Sequence, residues 1–277
     1  ADTSSYSEAL RGRVLLMIFE KPSLRTRVSF DVAMHSLGGH SLTIDATSMP
    51  LGGKETIEDT AKASSRYVDI IMARMFGHNK LVKLSENASV PVINGLTDDF
   101  HPVQILSDLL TIKEKKGKFK SLKLCYLGDG KNNVTHSLLL GCAHAGIDIF
   151  VGCPKDMVPN QDVVKKAMEI SVSSKVAVTD NTLNAVMDAD IIYTDSWMSY
   201  HVAESEKEAR IKKLMPYQVN GAIAAHAKKD YIFMNCLPAM RGYEQTAEII
   251  DGKNSVVFDQ AENRLHMQKS ILLWCLK

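Results

Sequence analysis

The residues best suited to anion chemistry lie together in the short sequence SLRTR, where Ser23 and Thr26 supply hydroxyls and Arg25 and Arg27 supply guanidinium groups. This sequence follows the apolar run Val14–Phe19 and is predicted to begin a helix, whose free backbone N–H groups attract anions. Guanidinium groups donate to a phosphate as a fork. A capped helix alone needs only one hydroxyl, so we interpret the sequence as an oxyanion site.

Polar side chains also occur where other predicted strands end in the first half of the chain. Arg74 closes one such strand, and His101 and Gln104 lie between a strand and a helix. A neutral imidazole and an amide could polarise a carbonyl group there. Taken alone, an arginine at a strand end is more often a surface residue, and Pro102 makes simple helix initiation the alternative interpretation of the second segment.

The sequence Gly128-Asp129-Gly130 follows a predicted strand and resembles the start of a dinucleotide-binding fingerprint. That fingerprint requires a further glycine where this chain has Asn133, and an acidic residue at the end of the next strand, where the chain has Gly152. The two mismatches argue against a nicotinamide or flavin enzyme. Asn132 and Asn133 instead place amides at the edge of the sheet, where they could bind a carboxylate or an amine.

Two further strand ends and one helix start carry reactive side chains. Asp195 follows a predicted strand and could hold a substrate ammonium, although a turn or N-cap aspartate is an equally good interpretation. Cys236 ends another strand, but without a triad-like partner in the local sequence we do not assign it as a covalent nucleophile. Arg264 lies at the start of the last predicted helix.

Apolar runs alternate with amphipathic stretches along the whole chain, which predicts an α/β protein with two doubly wound parallel-sheet domains and an active-site cleft between them. The charged, glycine-containing break near residue 116 is the predicted boundary. The domains are then 1–116 and 117–261, with the helix 262–277 packing back on the first domain. We also predict a strand at Val256–Phe258 and a charged helix at Glu204–Lys213.

Composition restricts the possible partners. The chain has 277 residues, with 33 Lys+Arg against 32 Asp+Glu, so its net charge of +1 gives no reason to expect nucleic acid as a partner. No apolar run approaches the roughly 18 residues of a membrane helix. The five cysteines contain no C-x-x-C pair, and residues 1–13 lack the apolar segment of a signal peptide. We therefore expect a cytoplasmic protein without a membrane partner.

Eight motifs, in order and spread across nearly the whole chain, resemble the aspartate/ornithine carbamoyltransferase family. They are FEKPSLRTRVSF (19–30), LGGKETIEDTA (51–61), MAR (72–74), HPVQ (101–104), LGDGKNN (127–133), DSWMS (195–199), NCLP (235–238) and AENR (261–264). The C-L-P element and the D-x-W-x-S loop indicate the ornithine branch of that family.

The resemblance implies transfer of a carbamoyl group from carbamoyl phosphate to the δ-amine of L-ornithine, in arginine biosynthesis or the arginine deiminase pathway, with no cofactor and no metal. Implied carbamoyl-phosphate residues are Ser23, Leu24, Arg25, Thr26, Arg74, His101, Gln104, Cys236, Leu237 and Arg264. Implied ornithine residues are Asn133, Asp195, Ser199 and Tyr200. Implied catalytic residues are Arg74, His101, Asp195, Cys236 and Arg264. Family members are built on trimers, and Lys54 is implied to reach a neighbouring subunit's site.

Several positions depart from the family pattern. Leu24 replaces a threonine, Pro50 a glutamine and Asn235 a histidine, while Tyr200 lies in a loop that is usually Ser-Met-Gly. Lys131 leaves open whether Asn132 or Asn133 is the ligand contact. Because these departures concentrate on the acceptor side, putrescine and N-acetylornithine remain alternative acceptors, and an inactive regulatory relative is the alternative of another class.

Overall fold

The computed structural model describes residues 6–46, 52–198 and 203–276. The chain forms two compact units, the first comprising Ala1–Ser107 and Glu262–Lys277 and the second Asp108–Ala261. The units divide within the helix Pro102–Lys116, whereas the predicted domain boundary lies at the end of that helix.

The first unit contains a parallel sheet with the strand order β2-β1-β3-β4. Its strands are β1 (Val14–Phe19), β2 (His40–Asp45), β3 (Ile70–Arg74) and β4 (Val92–Leu96). Its helices are α1 (Leu24–Ser36), α2 (Ile57–Ser64), α3 (His78–Asn87) and the start of α4 (Pro102–Lys116).

Helices cover both faces of this sheet, and the alternation of side chains along β1 shows why. Leu15, Met17 and Phe19 pack with Phe30 of α1, on a face that also includes Leu272 near the carboxyl terminus. Leu16 and Ile18 point to the opposite face, where they pack with Ala61, Leu81 and Leu84 of α2 and α3. A strand buried on both faces is expected to be continuously apolar, as β1 is.

The second unit contains a parallel sheet with the strand order β7-β6-β5-β8-β9. Its strands are β5 (Lys123–Leu127), β6 (Asp148–Gly152), β7 (Val176–Thr179), β8 (Ile191–Tyr193) and β9 (Ile232–Met234). Its helices are α5 (Asn133–Ala145), α6 (Gln161–Ile170), α7 (Thr182–Val186), α8 (Lys207–Leu214), α9 (Gly221–Ala224), α10 (Ala247–Ile250) and the start of α11 (Val257–Cys275). The predicted α/β fold with two parallel sheets is therefore confirmed.

Two predicted elements are corrected by the structure. The strand predicted at Val256–Phe258 is wrong, because α11 begins at Val257 and the Gln260 N–H donates to the Val256 carbonyl at 2.8 Å. An isolated bridge between Phe233 and Ser255 joins the residues just before this helix to the sheet. The predicted helix at Glu204–Lys213 begins with a 3-10 turn, Glu204–Glu206, before α8. Across the described part of the chain, no helix has both the length and the apolarity to cross a bilayer.

Candidate active site

The strand order of the first sheet reverses between β1 and β3, because β2 lies on one side of β1 while β3 and β4 lie on the other. Open parallel sheets bind ligands beyond the carboxyl ends of strands at such a reversal. Ser23 follows β1, Arg74 is the last residue of β3, and His101 follows β4. Three neighbouring strands thus deliver predicted site residues to one edge of the sheet.

The start of α1 presents backbone N–H groups, the first of which have no carbonyl partner within the helix. Ser23 is the N-cap, and its Oγ accepts a hydrogen bond from the Thr26 N–H at 3.3 Å. The first turn contains no acidic residue. Leu24, 73 % exposed, contributes only backbone to this turn. Arg25 is half-buried in the turn, whereas the guanidinium of Arg27 lies over the Phe19 ring at 5.1 Å.

Arg264 links two of the predicted site residues. Its Nη1 donates to Gln104 Oε1 at 2.7 Å and its Nη2 donates to Thr26 Oγ1 at 3.1 Å. All three side chains are buried. Because the Gln104 carbonyl oxygen accepts from Arg264, the orientation of the amide is fixed and Nε2 is its donor end.

His101 is 4 % exposed and is held neutral at physiological pH. Burial lowers its pKa well below the ordinary value, and the positive charges of Arg264, Arg74 and Lys21 lower it further. A neutral imidazole can donate a hydrogen bond to a carbonyl oxygen without giving up its proton. The site therefore combines fixed cations with a neutral donor.

Lys21 and Asp98 are members of this cluster that the sequence interpretation missed. Lys21 is 4 % exposed, forms an ion pair with Asp98, and holds its ammonium 4.5 Å from the centre of the Phe76 ring. Burial lowers the pKa of Lys21, and the Asp98 carboxylate opposes that shift. Its position two residues after the buried strand β1 was the signal that could have identified it.

The second sheet repeats the same arrangement. Its strand order reverses between β5 and β8. The Gly128-Asp129-Gly130 sequence follows β5, Asp195 follows β8, and Cys236 follows β9. Gly130 has to be glycine, because a Cβ there would lie 2.4 Å from the Met157 carbonyl oxygen. A second group of polar side chains thus lies at the carboxyl edge of neighbouring strands.

Asp195 is the centre of this second group. The Cys236 thiol donates to its Oδ1 at 3.1 Å, and Asn132 Nδ2 donates to its Oδ2 at 2.8 Å. Burial raises the pKa of Asp195, and these hydrogen bonds partly offset the shift. The structure places Asn132 against the carboxylate, whereas Asn133, the predicted ligand contact, begins α5.

Asn235 supports the loop that carries Cys236. Its Oδ1 accepts from the Leu237 N–H at 2.8 Å, and its Nδ2 donates to Gln245 Oε1 at 3.1 Å. Leu237 adopts a φ of 56°, a left-handed conformation that is unfavourable for leucine, and a cis peptide joins it to Pro238. The Asn235 amide therefore holds this turn, and the sequence interpretation missed this role.

The remaining predicted residues are located as follows. Ser199, Tyr200 and Pro50 lie outside the described residues. Lys54 is exposed in a turn. Within the described ranges, no group of three or more His, Cys, Asp or Glu side chains is arranged to hold a metal ion.

Comparison with models of known protein families shows to which family the chain belongs. Residues 1–114 match the model described as aspartate/ornithine carbamoyltransferase, carbamoyl-P binding domain, and residues 120–275 match its Asp/Orn binding domain. The chain belongs to the aspartate/ornithine carbamoyltransferase family. The resemblance inferred from the eight motifs is thereby confirmed.

Individual members of the family are similar over most of their length. Ornithine carbamoyltransferase from Methanocaldococcus jannaschii is 50% identical over 269 residues, which is 96% of this chain and 88% of that protein. A catabolic ornithine carbamoyltransferase from Thermoplasma volcanium is 48% identical over 267 residues, 96% of this chain and 87% of that protein. The solved structure of the Pyrococcus furiosus ornithine carbamoyltransferase matches with a TM-score of 0.91 at 50% identity, over 96% of this chain and 85% of that chain.

Proposed function

We propose that this protein transfers the carbamoyl group of carbamoyl phosphate to the δ-amine of L-ornithine, giving L-citrulline and phosphate. One observation carries the proposal: each sheet has a polar cluster at the reversal of its strand order, and the two clusters have opposite chemistry. The first is cationic and suits a phosphorylated donor. The second is centred on the Asp195 carboxylate and suits an amine.

In the donor cluster, phosphate binds at the start of α1, between the backbone N–H groups, Ser23, Arg25 and Arg74. The carbamoyl carbonyl oxygen accepts hydrogen bonds from His101, Gln104 and Arg264. Its negative charge grows as the amine attacks, and these buried donors are already oriented before the reaction begins. Stabilisation of that developing charge is the main contribution of this cluster to the rate.

In the acceptor cluster, Asp195 and Cys236 position the amines of ornithine. The Asp195 carboxylate is already fixed by hydrogen bonds from Cys236 and Asn132, so little rearrangement is needed on binding. The unprotonated δ-amine attacks the carbonyl carbon, the new C–N bond forms as the C–O bond to phosphate breaks, and the amine proton leaves with the phosphate.

Citrulline formation from carbamoyl phosphate tests this function directly, with ornithine, putrescine and N-acetylornithine supplied as parallel acceptors. We expect product with ornithine. Carbamoylation of putrescine or N-acetylornithine alone would overturn the acceptor assignment. No product with any acceptor, from protein that is folded and binds phosphate, would favour the inactive regulatory relative.

We also propose a homotrimer, in which Lys54 contributes to the neighbouring subunit's site. Exposed apolar side chains at spacings of four residues share one face of α1, and such a row favours contact with another chain. They are Leu24, Val28 and Val32, which are 73 %, 49 % and 43 % exposed. Light scattering should give three times the 30.6 kDa chain mass, and a 30.6 kDa particle would overturn this assembly.

A cytoplasmic location is the compartment that we propose. All five cysteines, each within the described residues, are free thiols, as is usual in a reducing compartment. Fractionation of the source cells, followed by the carbamoyl-transfer assay on each fraction, would test the location. Activity confined to an exported fraction would contradict it.

A further inference from the structure

Glu244 lies outside every motif that identified the site, yet its carboxylate joins two of the site's loops. Its Oε1 accepts the Trp197 N–H at 3.1 Å, and its Oε2 accepts the Met240 N–H at 3.0 Å. The side chain is fully buried. Each carboxylate oxygen thus holds the backbone of a different loop.

The two loops are those that carry the acceptor residues. Trp197 lies two positions after Asp195 in the loop that follows β8, and Met240 lies four positions after Cys236 in the loop that follows β9. The contact between the Cys236 thiol and Asp195 spans the same two loops. The distance between the Cys236 sulfur and the Asp195 carboxylate therefore depends on the spacing between these two loops, and Glu244 sets that spacing.

The Trp197 backbone is also held from the other side. The Arg210 Nε donates to the Trp197 carbonyl, and the Arg210 guanidinium pairs with Asp129 of the loop that follows β5. That loop leads to Asn132, the second donor to Asp195. Arg210 thus connects the loop that follows β5 to the loop that follows β8. Glu244 connects the loop that follows β8 to the Cys236 loop.

Burial of Glu244 is unfavourable for its ionised form and raises its pKa. The ordered backbone N–H donors offset that cost only when both are in place. We propose that Glu244 is a positioning residue for the acceptor: by holding the Asp195 and Cys236 loops at a fixed spacing, it sets the affinity for ornithine. The proposal deepens the proposed function and rests on it.

The test is Glu244→Gln, which keeps the size but replaces one acceptor oxygen with an NH2 group that faces a backbone donor. We expect KM for ornithine to rise by about tenfold while KM for carbamoyl phosphate changes less than twofold. The split distinguishes a positioning role from a general loss of structure, which would affect both substrates. Unchanged KM for ornithine, or an equal rise in both values, overturns the proposal.

Glu248→Gln is the matched control. Glu248 Oε1 accepts the Gly221 N–H at 2.8 Å, so the substitution changes a carboxylate–backbone hydrogen bond of the same kind away from both loops. Both KM values should stay at the wild-type level.

Glu244→Asp retains two acceptor oxygens on a shorter stem and should give an intermediate KM for ornithine. If neither Glu244 variant folds, the residue acts in overall stability and the positioning assignment is overturned.

A readout independent of turnover separates this inference from the proposed function. Trp197 is fully buried whereas Trp274 is 80 % exposed, so a Trp274→Phe background leaves Trp197 as the fluorescent reporter of its loop. Glu244→Gln should at least double acrylamide quenching of Trp197, and Glu248→Gln should not. Unchanged quenching overturns the inference even in an active enzyme, while a wild-type protein that makes no citrulline overturns only the proposed function.

Discussion

Arg264 Nη1 lies 2.7 Å from Gln104 Oε1, although 160 residues separate the two in sequence. The same guanidinium contacts Thr26 through Nη2, so one side chain fixes both α1 and α4. Two directed donors at one planar group are a geometry that lysine cannot reproduce. The contact therefore makes Arg264 a sensitive position for the donor site.

We expect Arg264→Lys to lower kcat/KM for carbamoyl phosphate by roughly 100-fold, the usual scale for loss of one oriented donor in a buried site. Arg241→Lys is the matched control, because Arg241 forms a two-point contact with Asp251 on the surface. Steady-state kinetics of both variants check the prediction. Equal losses in the two variants would contradict a specific role for Arg264.

The lowered pKa of His101 leads us to expect that the free energy of unfolding depends on pH. Its pKa is lowered in the folded protein, chiefly by burial, so the unfolded chain binds the proton more readily. Stability is therefore retained above the ordinary imidazole pKa of about 6.5 and falls below it, by about 1.4 kcal/mol per pH unit while His101 stays neutral in the folded state.

Thermal unfolding of the wild type and His101→Gln at pH 7.5 and 5.5 measures this effect. The variant should lose less stability than the wild type over the same interval, because it has no imidazole at this position to protonate. An identical loss in the two proteins would assign the pH dependence to other groups.

We expect removal of the Asp195 charge to have opposite effects on activity and on stability. Burial raises its pKa, so the folded state disfavours the ionised form, and stability falls as pH rises from the ordinary aspartate value through the raised one. We expect Asp195→Asn to raise Tm at pH 7.5 while lowering kcat/KM for ornithine by about 10- to 100-fold, the scale of a charged hydrogen bond.

Asp190→Asn provides the comparison for that variant. Asp190 is buried and pairs with Lys228 at 2.8 Å, so its loss should lower Tm without changing KM for ornithine. A fall in Tm for Asp195→Asn as large as that for Asp190→Asn would show that Asp195 contributes to stability rather than to binding.

The buried Lys21 predicts a strong coupling to Asp98. Removing one partner leaves the other without its counter-charge, and because Asp98 is partly exposed we expect a coupling energy of about 1–3 kcal/mol. Denaturant unfolding of Lys21→Met, Asp98→Asn and the double variant gives this value. Lys83→Met, at a pair with Glu58 in which the lysine is 52% exposed, should cause a much smaller loss. Additive losses at Lys21 and Asp98 would contradict the coupling.

Much of the fold could be predicted from local patterns. The buried run Val14–Phe19 was predicted with its observed bounds, because a continuously apolar hexamer between polar segments is typical of a strand covered on both faces. Val256–Phe258 failed because a three-residue apolar run fits the start of a helix equally well. The two segments are both apolar, so the length of the apolar run, six residues against three, distinguishes the correct prediction from the wrong one.

The candidate site was less predictable because its decisive contacts are distant in sequence. A lysine is usually expected at the surface, and two contacts of the buried Lys21, with Asp98 77 residues away and with the Phe76 ring, are distant in sequence. Which of Asn132 and Asn133 contacts a ligand depends on side-chain directions that spacing alone does not determine. The sequence motifs identified the segments that carry the candidate site. Which side-chain atoms contact one another depends on the folded structure.

The acid-free first turn of α1 has a practical consequence for how this protein will behave as product accumulates. The donor site that we propose there, formed by backbone N–H groups and arginines, would bind a tetrahedral oxyanion whether or not that anion still carries a carbamoyl group. Orthophosphate released by the reaction is therefore expected to compete with fresh donor and slow the enzyme. Phosphate and sulfate buffers would do the same, while also protecting the protein against heat.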